Sequence, residues 1–135
     1  GNFSLPLARR ARDVLGVEGD ARLVAAAGDN AARNGLANIA FRCCDLRTID
    51  GNEAWLAAGW DRVLLDPARS GAAEIVRNMQ HIGAERIVYV SCHPGTLARD
   101  AGTLVNEQGY RLEAAGIIDM FPHTAHVESI AVFSK

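Results

Sequence analysis

Short uninterrupted apolar runs alternate with helix-length stretches from one end of the chain to the other, and this rhythm most constrains the fold. Val14-Leu15-Gly16-Val17-Glu18, Asn38 to Cys44, Arg62 to Leu65 and Arg86 to Val90 read as strands. Between them, Asp20 to Arg33, Glu53 to Ala58, Ala72 to His81 and Thr96 to Asn106 carry helical patterning. Leu5 to Asp13 is a further helix, with Arg9, Arg10 and Arg12 on its polar side, Ser4 as its cap and Pro6 in its first turn. Asn34-Gly35 stops the helix before it. Continuous apolar strands need cover on both faces, so the pattern predicts a mostly parallel sheet in an α/β layer domain. Tyr110 to Asp119 and Ser129 to Ser134 have no helix between them, only the loop Met120 to Glu128, and are predicted to form an antiparallel hairpin.

The 135 residues are enough for one domain, and 49% apolar with 22% charged residues is a globular rather than a disordered composition. Fourteen basic residues against 16 acidic ones give a net charge of −2, which excludes a mainly electrostatic nucleic-acid binder. No apolar run approaches the ~18–20 residues of a membrane span, so no membrane partner is expected. Three cysteines (Cys43, Cys44 and Cys92) do not make a disulfide framework and point to a reducing cytoplasm. The opening Gly1-Asn2-Phe3-Ser4-Leu5-Pro6 reads as the end of a glycine loop entering a helix. Such a loop usually follows a strand, so the chain is expected to be a fragment lacking its first strand.

Ligands of an open parallel sheet bind beyond the carboxyl ends of its strands. Those ends carry Glu18, Asp45, Asp66-Pro67 and Ser91-Cys92, predicted to share one rim. Any single acid there serves equally well as a helix N-cap; all of them together with a thiol point to a site. Glu18, seventeen positions after Gly1, is placed to accept bonds from both hydroxyls of a ribose, which points to an adenosyl cofactor. Cys92 follows a strand and precedes a helix, where the helix dipole favours the nucleophilic thiolate. The alternative for a cysteine is a small buried apolar residue, the reading given to Cys43 and Cys44. The loop Asp119 to Glu128 holds His123 and His126, a weak metal pair or possible partners of Cys92; no metal is predicted. Glu128 is either a general base or a strand-end charge.

The motifs Gly1-Asn2-Phe3, Val17-Glu18-Gly19, Leu64-Leu65-Asp66-Pro67-Ala68-Arg69, Val90-Ser91-Cys92-His93-Pro94 with Thr96-Leu97-Ala98-Arg99-Asp100, and Asp119-Met120-Phe121-Pro122-His123-Thr124 with His126-Val127-Glu128 occur in that order. On them the whole chain resembles the catalytic domain of the RNA uracil-C5 methyltransferases, and most closely the bacterial branch acting on 23S ribosomal RNA. The resemblance implies a Rossmann-like S-adenosylmethionine-dependent methyltransferase fold. It implies that Asn2, Glu18, Asp45 and Asp66 bind S-adenosylmethionine, that Cys92 is the nucleophile, and that Glu128 is the base removing the C5 proton. The implied product is 5-methyluridine in 23S rRNA, formed through a covalent bond between the cysteine and C6. Two positions depart from the family pattern. His93 stands where the family usually has Asn, and Asp45 where relatives of the ribosomal branch can carry Asn. Arg69 and Arg99 are candidates for phosphate or carbonyl contacts, or for ion pairs.

Members of the family also have an N-terminal OB-like RNA-binding (TRAM) domain, and the ribosomal branch carries an iron–sulfur cluster upstream. A cluster of four thiolates cannot be built from three cysteines, so the cluster is expected only in the part that is missing. The rRNA grip is likewise expected mainly on the missing domain. A lost central strand would leave unpaired edges. The isolated chain is therefore expected to bind S-adenosylmethionine poorly, to be inactive, and to be open to self-association. Rival readings are an amine methyltransferase that uses the Asp-Pro motif without a thiol, a tRNA uracil-C5 methyltransferase, and an inert binding module that kept the fold.

Overall fold

A computed structural model describes residues 1–120, 122–124 and 126–135. The elements run α1 (Ser4–Ala8), β1 (Val14–Glu18), α2 (Ala21–Arg33), β2 (Ile39–Cys43), β3 (Arg62–Leu65), α3 (Ala73–Arg77), α4 (Met79–Ile82), β4 (Arg86–Ser91), α5 (Pro94–Asn106), β5 (Arg111–Ile118) and β6 (Glu128–Ser134). The chain divides into two compact units, Gly1–Leu46 and Arg47–Lys135. Among the described residues no helix is long and apolar enough to cross a membrane.

In the first unit β1 and β2 pair in parallel, from Val14 opposite Ile39 to Glu18 opposite Cys43. The crossover is α2, which turns Ala27 and Ala31 inward; small side chains let the helix lie close. Asp20 caps α2 by accepting the Arg22 N–H at 2.8 Å, and the Arg22 guanidinium holds its carboxyl below the usual aspartate value. Gly35 ends the turn after α2 at φ 65°, a conformation suited to glycine. The first helix differs from expectation. Phe3 already has helical angles and the Leu5 N–H bonds to the Gly1 carbonyl, so Ser4 lies inside α1 and does not cap it. The helix stops at Ala8 rather than Asp13. The Asn38 side-chain amide donates to the carbonyls of Ala8 and Ala11 at 2.7 and 2.9 Å, satisfying groups left without partners at the helix end.

In the second unit the strand order is β3-β4-β6-β5. β3 and β4 are parallel, whereas β6 runs antiparallel to both β4 and β5. The expected C-terminal hairpin is present, but its second strand inserts between β4 and β5. Alternation on β4 and β6 sends Ile87, Tyr89 and Ser91, with Ser129, Ala131 and Phe133, to one buried face. Leu97, Asp100 and Leu104 are the buried stripe of α5, at helical spacing. Two expected helices differ from their patterns, one not forming and one dividing in two. Residues 53–58 form turns, because the Glu53 carboxylate accepts the N–H groups of Asp50 and Gly51 instead of opening a helix. Ala72 to His81 splits into α3 and α4 at Asn78, whose side-chain amide donates to the Glu74 carbonyl.

Candidate active site

The second unit brings three of the expected site residues to one rim of its sheet. Asp66 follows β3, Cys92 follows β4, and Glu128 opens β6, which runs the other way. The Ser91–Ser129 pair is the last of the β4–β6 ladder, and one step further in the same antiparallel register stand Cys92 and Glu128. Cys92 is partly exposed with a free thiol. It occupies the bend between β4 and α5, at the positive end of that helix dipole.

The bend is held on both sides. The Ser91 hydroxyl accepts the His93 N–H and donates to the His93 carbonyl, both at 3.1 Å. The Ser129 hydroxyl donates to the Ser91 carbonyl at 3.0 Å, tying β6 to the same bend. His93 has extended backbone angles and caps α5: its Nδ1 accepts the Thr96 N–H at 3.2 Å.

A second group of contacts joins α5 to the loop after β3. Asp100 is 1% exposed and accepts from the Tyr89 hydroxyl at 2.6 Å, the Ala72 N–H at 2.7 Å and Arg99 Nε at 2.8 Å. Arg99 also donates to the Ser70 carbonyl at 3.0 Å, and the Thr96 hydroxyl to the Arg69 carbonyl at 3.2 Å. Burial, reinforced by the bond to Asp100, pushes the Tyr89 hydroxyl well above the usual tyrosine value. Gly71 sits in this clamp at φ 82°, where an added Cβ would meet Arg99 at 2.5 Å and Asp100 at 2.7 Å. Of the alternatives open for Arg99, the ion pair with Asp100 is the one formed; the Arg69 side chain is exposed. Sequence reasoning missed Tyr89 and Asp100 as site-shaping residues. The signal available was an acid on the apolar stripe of α5.

Asp66 has an exposed side chain, yet the atoms packed around its carboxyl raise it above the usual aspartate value. Desolvation is the sole cause, so no donor among the described residues offsets the crowding of this carboxylate. In the first unit Glu18 and Asp45 lie at and just past the ends of the parallel strands β1 and β2. Glu18 Oε1 accepts the Asp20 N–H at 3.1 Å. Asn2 is exposed in the turn before α1. Within the first unit Glu18 and Asp45 share a rim, and within the second unit Asp66, Cys92 and Glu128 share a rim. In the loop before β6, the Thr124 hydroxyl accepts the His126 N–H at 3.2 Å, and His123 has φ 68°. Phe121 of the Phe-Pro-His-Thr motif, and Ala125, lie outside the described residues. Among the described residues no group of three or more His, Cys, Asp or Glu side chains is placed to hold a metal ion.

The fold is the Rossmann-like fold of S-adenosylmethionine-dependent methyltransferases. The chain superposes on TrmN from Thermus thermophilus with a TM-score of 0.71 at 18% identity, covering 100% of this chain and 41% of that one. For M. jannaschii TYW2 in complex with AdoMet the TM-score is 0.70 at 17% identity, covering 100% and 64%. The sequence narrows the class further. Residues 53–135 match the model of the tRNA (Uracil-5-)-methyltransferase family, and the chain belongs to that family. Over all 135 residues it is 64% identical to the 23S rRNA (uracil(1939)-C(5))-methyltransferase RlmD of Stenotrophomonas maltophilia, strain R551-3. The same identity is found with the RlmD of Xanthomonas oryzae pv. oryzae, strain MAFF 311018. The chain spans 30% of the length of these curated relatives.

Proposed function

We propose that the protein carrying this chain methylates C5 of a uridine in 23S rRNA, giving 5-methyluridine, with S-adenosylmethionine as donor and Cys92 as covalent catalyst. The observation that carries the reading is the position of Cys92 and Glu128 at the same end of neighbouring strands, one step past the Ser91–Ser129 pair. The 64% identity to RlmD proteins supports the ribosomal substrate over tRNA, and that substrate assigns the reaction to the cytoplasm.

The donor set fits the cofactor. Asp66 offers a crowded carboxylate to a ligand that brings its own hydrogen-bond donors. Glu18, with one oxygen engaged by Asp20, keeps the other for ribose hydroxyls; Asn2 and Asp45 complete the proposed cofactor set. When bound, S-adenosylmethionine supplies the electrophilic methyl group that C5 receives.

The residues of the second unit do the rest. Uracil C5 is a weak nucleophile. Addition of the Cys92 sulfur to C6 forms an S–C6 bond and moves the C5–C6 π pair into the ring as an enolate, which activates C5. Once C5 is methylated, Glu128 takes its proton. The electrons of that C–H bond restore the C5–C6 double bond as the S–C6 bond breaks and its pair returns to sulfur. The target base must leave its stack to reach the rim, and a chain of net charge −2 leaves most of the RNA grip to other parts of the protein.

The test uses the full-length protein with 5-fluorouridine-substituted 23S rRNA fragments. A complex that survives denaturation and maps to Cys92 is expected, and none with Cys92→Ala. Glu128→Gln should still form the bond on ordinary RNA but release product roughly 10²–10⁴-fold more slowly. Product formation by Cys92→Ala would overturn the proposal. Methyl groups on an amine would point to the rival amine methyltransferase, and equal turnover of tRNA to the tRNA enzyme.

A further inference from the structure

With no donor of its own among the described residues, the Asp66 carboxylate takes its place from the backbone on either side. Upstream is Leu65, the buried end of β3. Downstream, Pro67 fixes its own φ and confines Asp66 to extended angles, so both residues transmit the position of the chain that follows. That chain is an irregular loop lying against α5. The Gly71 N–H closes a turn on the Ala68 carbonyl at 2.9 Å. Three ties then bind the loop to α5: the Thr96 hydroxyl to the Arg69 carbonyl, Arg99 to the Ser70 carbonyl, and the Ala72 N–H to Asp100.

Two of these ties pass through Asp100. Its Oδ2 accepts the Ala72 N–H and the Tyr89 hydroxyl. Its Oδ1 accepts Arg99 Nε at 2.8 Å and Nη2 at 2.7 Å, which aims the guanidinium at Ser70. The remaining tie is the weaker one, because the single Thr96 hydroxyl proton is shared with the His93 carbonyl 3.0 Å away. The Cys92 bend is held instead by the Ser91 and Ser129 hydroxyls, neither of which bonds to Asp100. Resting on the cofactor role proposed for Asp66, we propose that Asp100 is a positioning residue for S-adenosylmethionine: it fixes the loop that presents the Asp66 carboxylate and leaves Cys92 unaffected.

The test is calorimetry of S-adenosylmethionine binding to the full-length protein, with iodoacetamide alkylation of Cys92, read by peptide mass mapping, as second measurement. Asp66→Asn should weaken binding at least ~10-fold, as for a lost hydrogen bond to a charged group, and Asp100→Ala by a similar factor. Asp100→Asn keeps an oxygen for Ala72 and should recover most of the affinity. Arg99→Ala, at a half-exposed position, drops the Ser70 tie and should cost about threefold; it carries the test where Asp100→Ala does not fold. In the Asp66→Asn background neither substitution should weaken binding further, since no carboxylate remains to misplace. A general loss of stability would lower affinity equally in both backgrounds. Cys92 should be alkylated at the wild-type rate in every variant. Wild-type affinity in Asp100→Ala, or in Arg99→Ala where the former does not fold, overturns the positioning role. So do equal losses in the two backgrounds, or an altered rate at Cys92. Failure of the underlying reading looks different: Asp66→Asn itself then binds as tightly as wild type, and the role of Asp100 falls with it.

Discussion

Asp100→Ala removes the acceptor on which α5 and the loop after β3 converge. Asp100 is 1% exposed, and two of its donors, the Tyr89 hydroxyl and the Ala72 N–H, are buried with it. Arg99 is half exposed and can turn to water. Each buried donor left without an acceptor costs about 1–3 kcal/mol. Two of them give about 2–6 kcal/mol, which brackets the ~3–5 kcal/mol expected when one partner of a buried charged pair is removed. Asp100→Asn keeps an oxygen for Tyr89 and Ala72 and loses chiefly Arg99, so about 1–2 kcal/mol is expected. Native-state hydrogen exchange of the Ala72 amide reads the effect locally, without requiring the whole protein to unfold in one step. At about 1.4 kcal/mol per decade, Asp100→Ala should speed that exchange at least ~25-fold and Asp100→Asn roughly tenfold. An Ala72 amide equally protected in wild type and Asp100→Ala would refute the argument that this carboxylate clamps the loop.

Asp66→Asn should separate stability from cofactor binding. Crowding raises the Asp66 carboxyl, so its ionised form is less welcome in the folded chain than in the unfolded one. The cost is absent below the ordinary aspartate value near pH 4 and is fully felt once the pH has risen through the raised value. Thermal melts should therefore show Asn melting slightly higher than wild type at pH 7, with the gap closing towards pH 3, while calorimetry of the full-length protein shows at least ~10-fold weaker S-adenosylmethionine binding. Alkaline stability should be set by Tyr89 and Tyr110, both raised by burial. The fold keeps both protons, so stability should hold to about pH 10 and then fall by up to ~1.4 kcal/mol per pH unit for each tyrosine. Urea midpoints across pH 8–11.5 check this, and Tyr89→Phe should halve the slope.

The strands were legible because each is a short apolar run closed by a polar residue: β1 ends at Glu18, and β3 at Leu65 before Asp66. The failures came where local polar chemistry competes with helical pattern. Glu53 turns back on the N–H groups of Asp50 and Gly51 instead of entering a helix, and Asn78 breaks a ten-residue pattern by bonding to Glu74. Asn38 reaches back more than twenty-five residues to end α1 at Ala8. Such contacts depend on where the chain returns in space, which periodicity does not encode. The clamp around Asp100 is of the same kind, since Tyr89 on β4 and Ala72 before α3 meet it from elsewhere in the chain.

Glu128 and Cys92 lie thirty-six residues apart in the chain, and neither motif alone places one near the other. The pairing register does. Phe133 is fully buried opposite Ile87, and Ala131 lies opposite Tyr89. A slip of one residue would turn Phe133, Ala131 and Ser129 out of the core and bring Val132 and Ile130 in, because side chains alternate with a period of two. The core therefore tolerates only the register that ends at Ser91 and Ser129, and the next step of that register is Cys92 opposite Glu128. The Ser129 hydroxyl locks this end by bonding to the Ser91 carbonyl. The placement of Cys92 and Glu128 at one rim is thus set by an apolar side chain packed at the opposite end of the same strand. A mutation at Phe133 that loosens the register should disturb the rim without touching it.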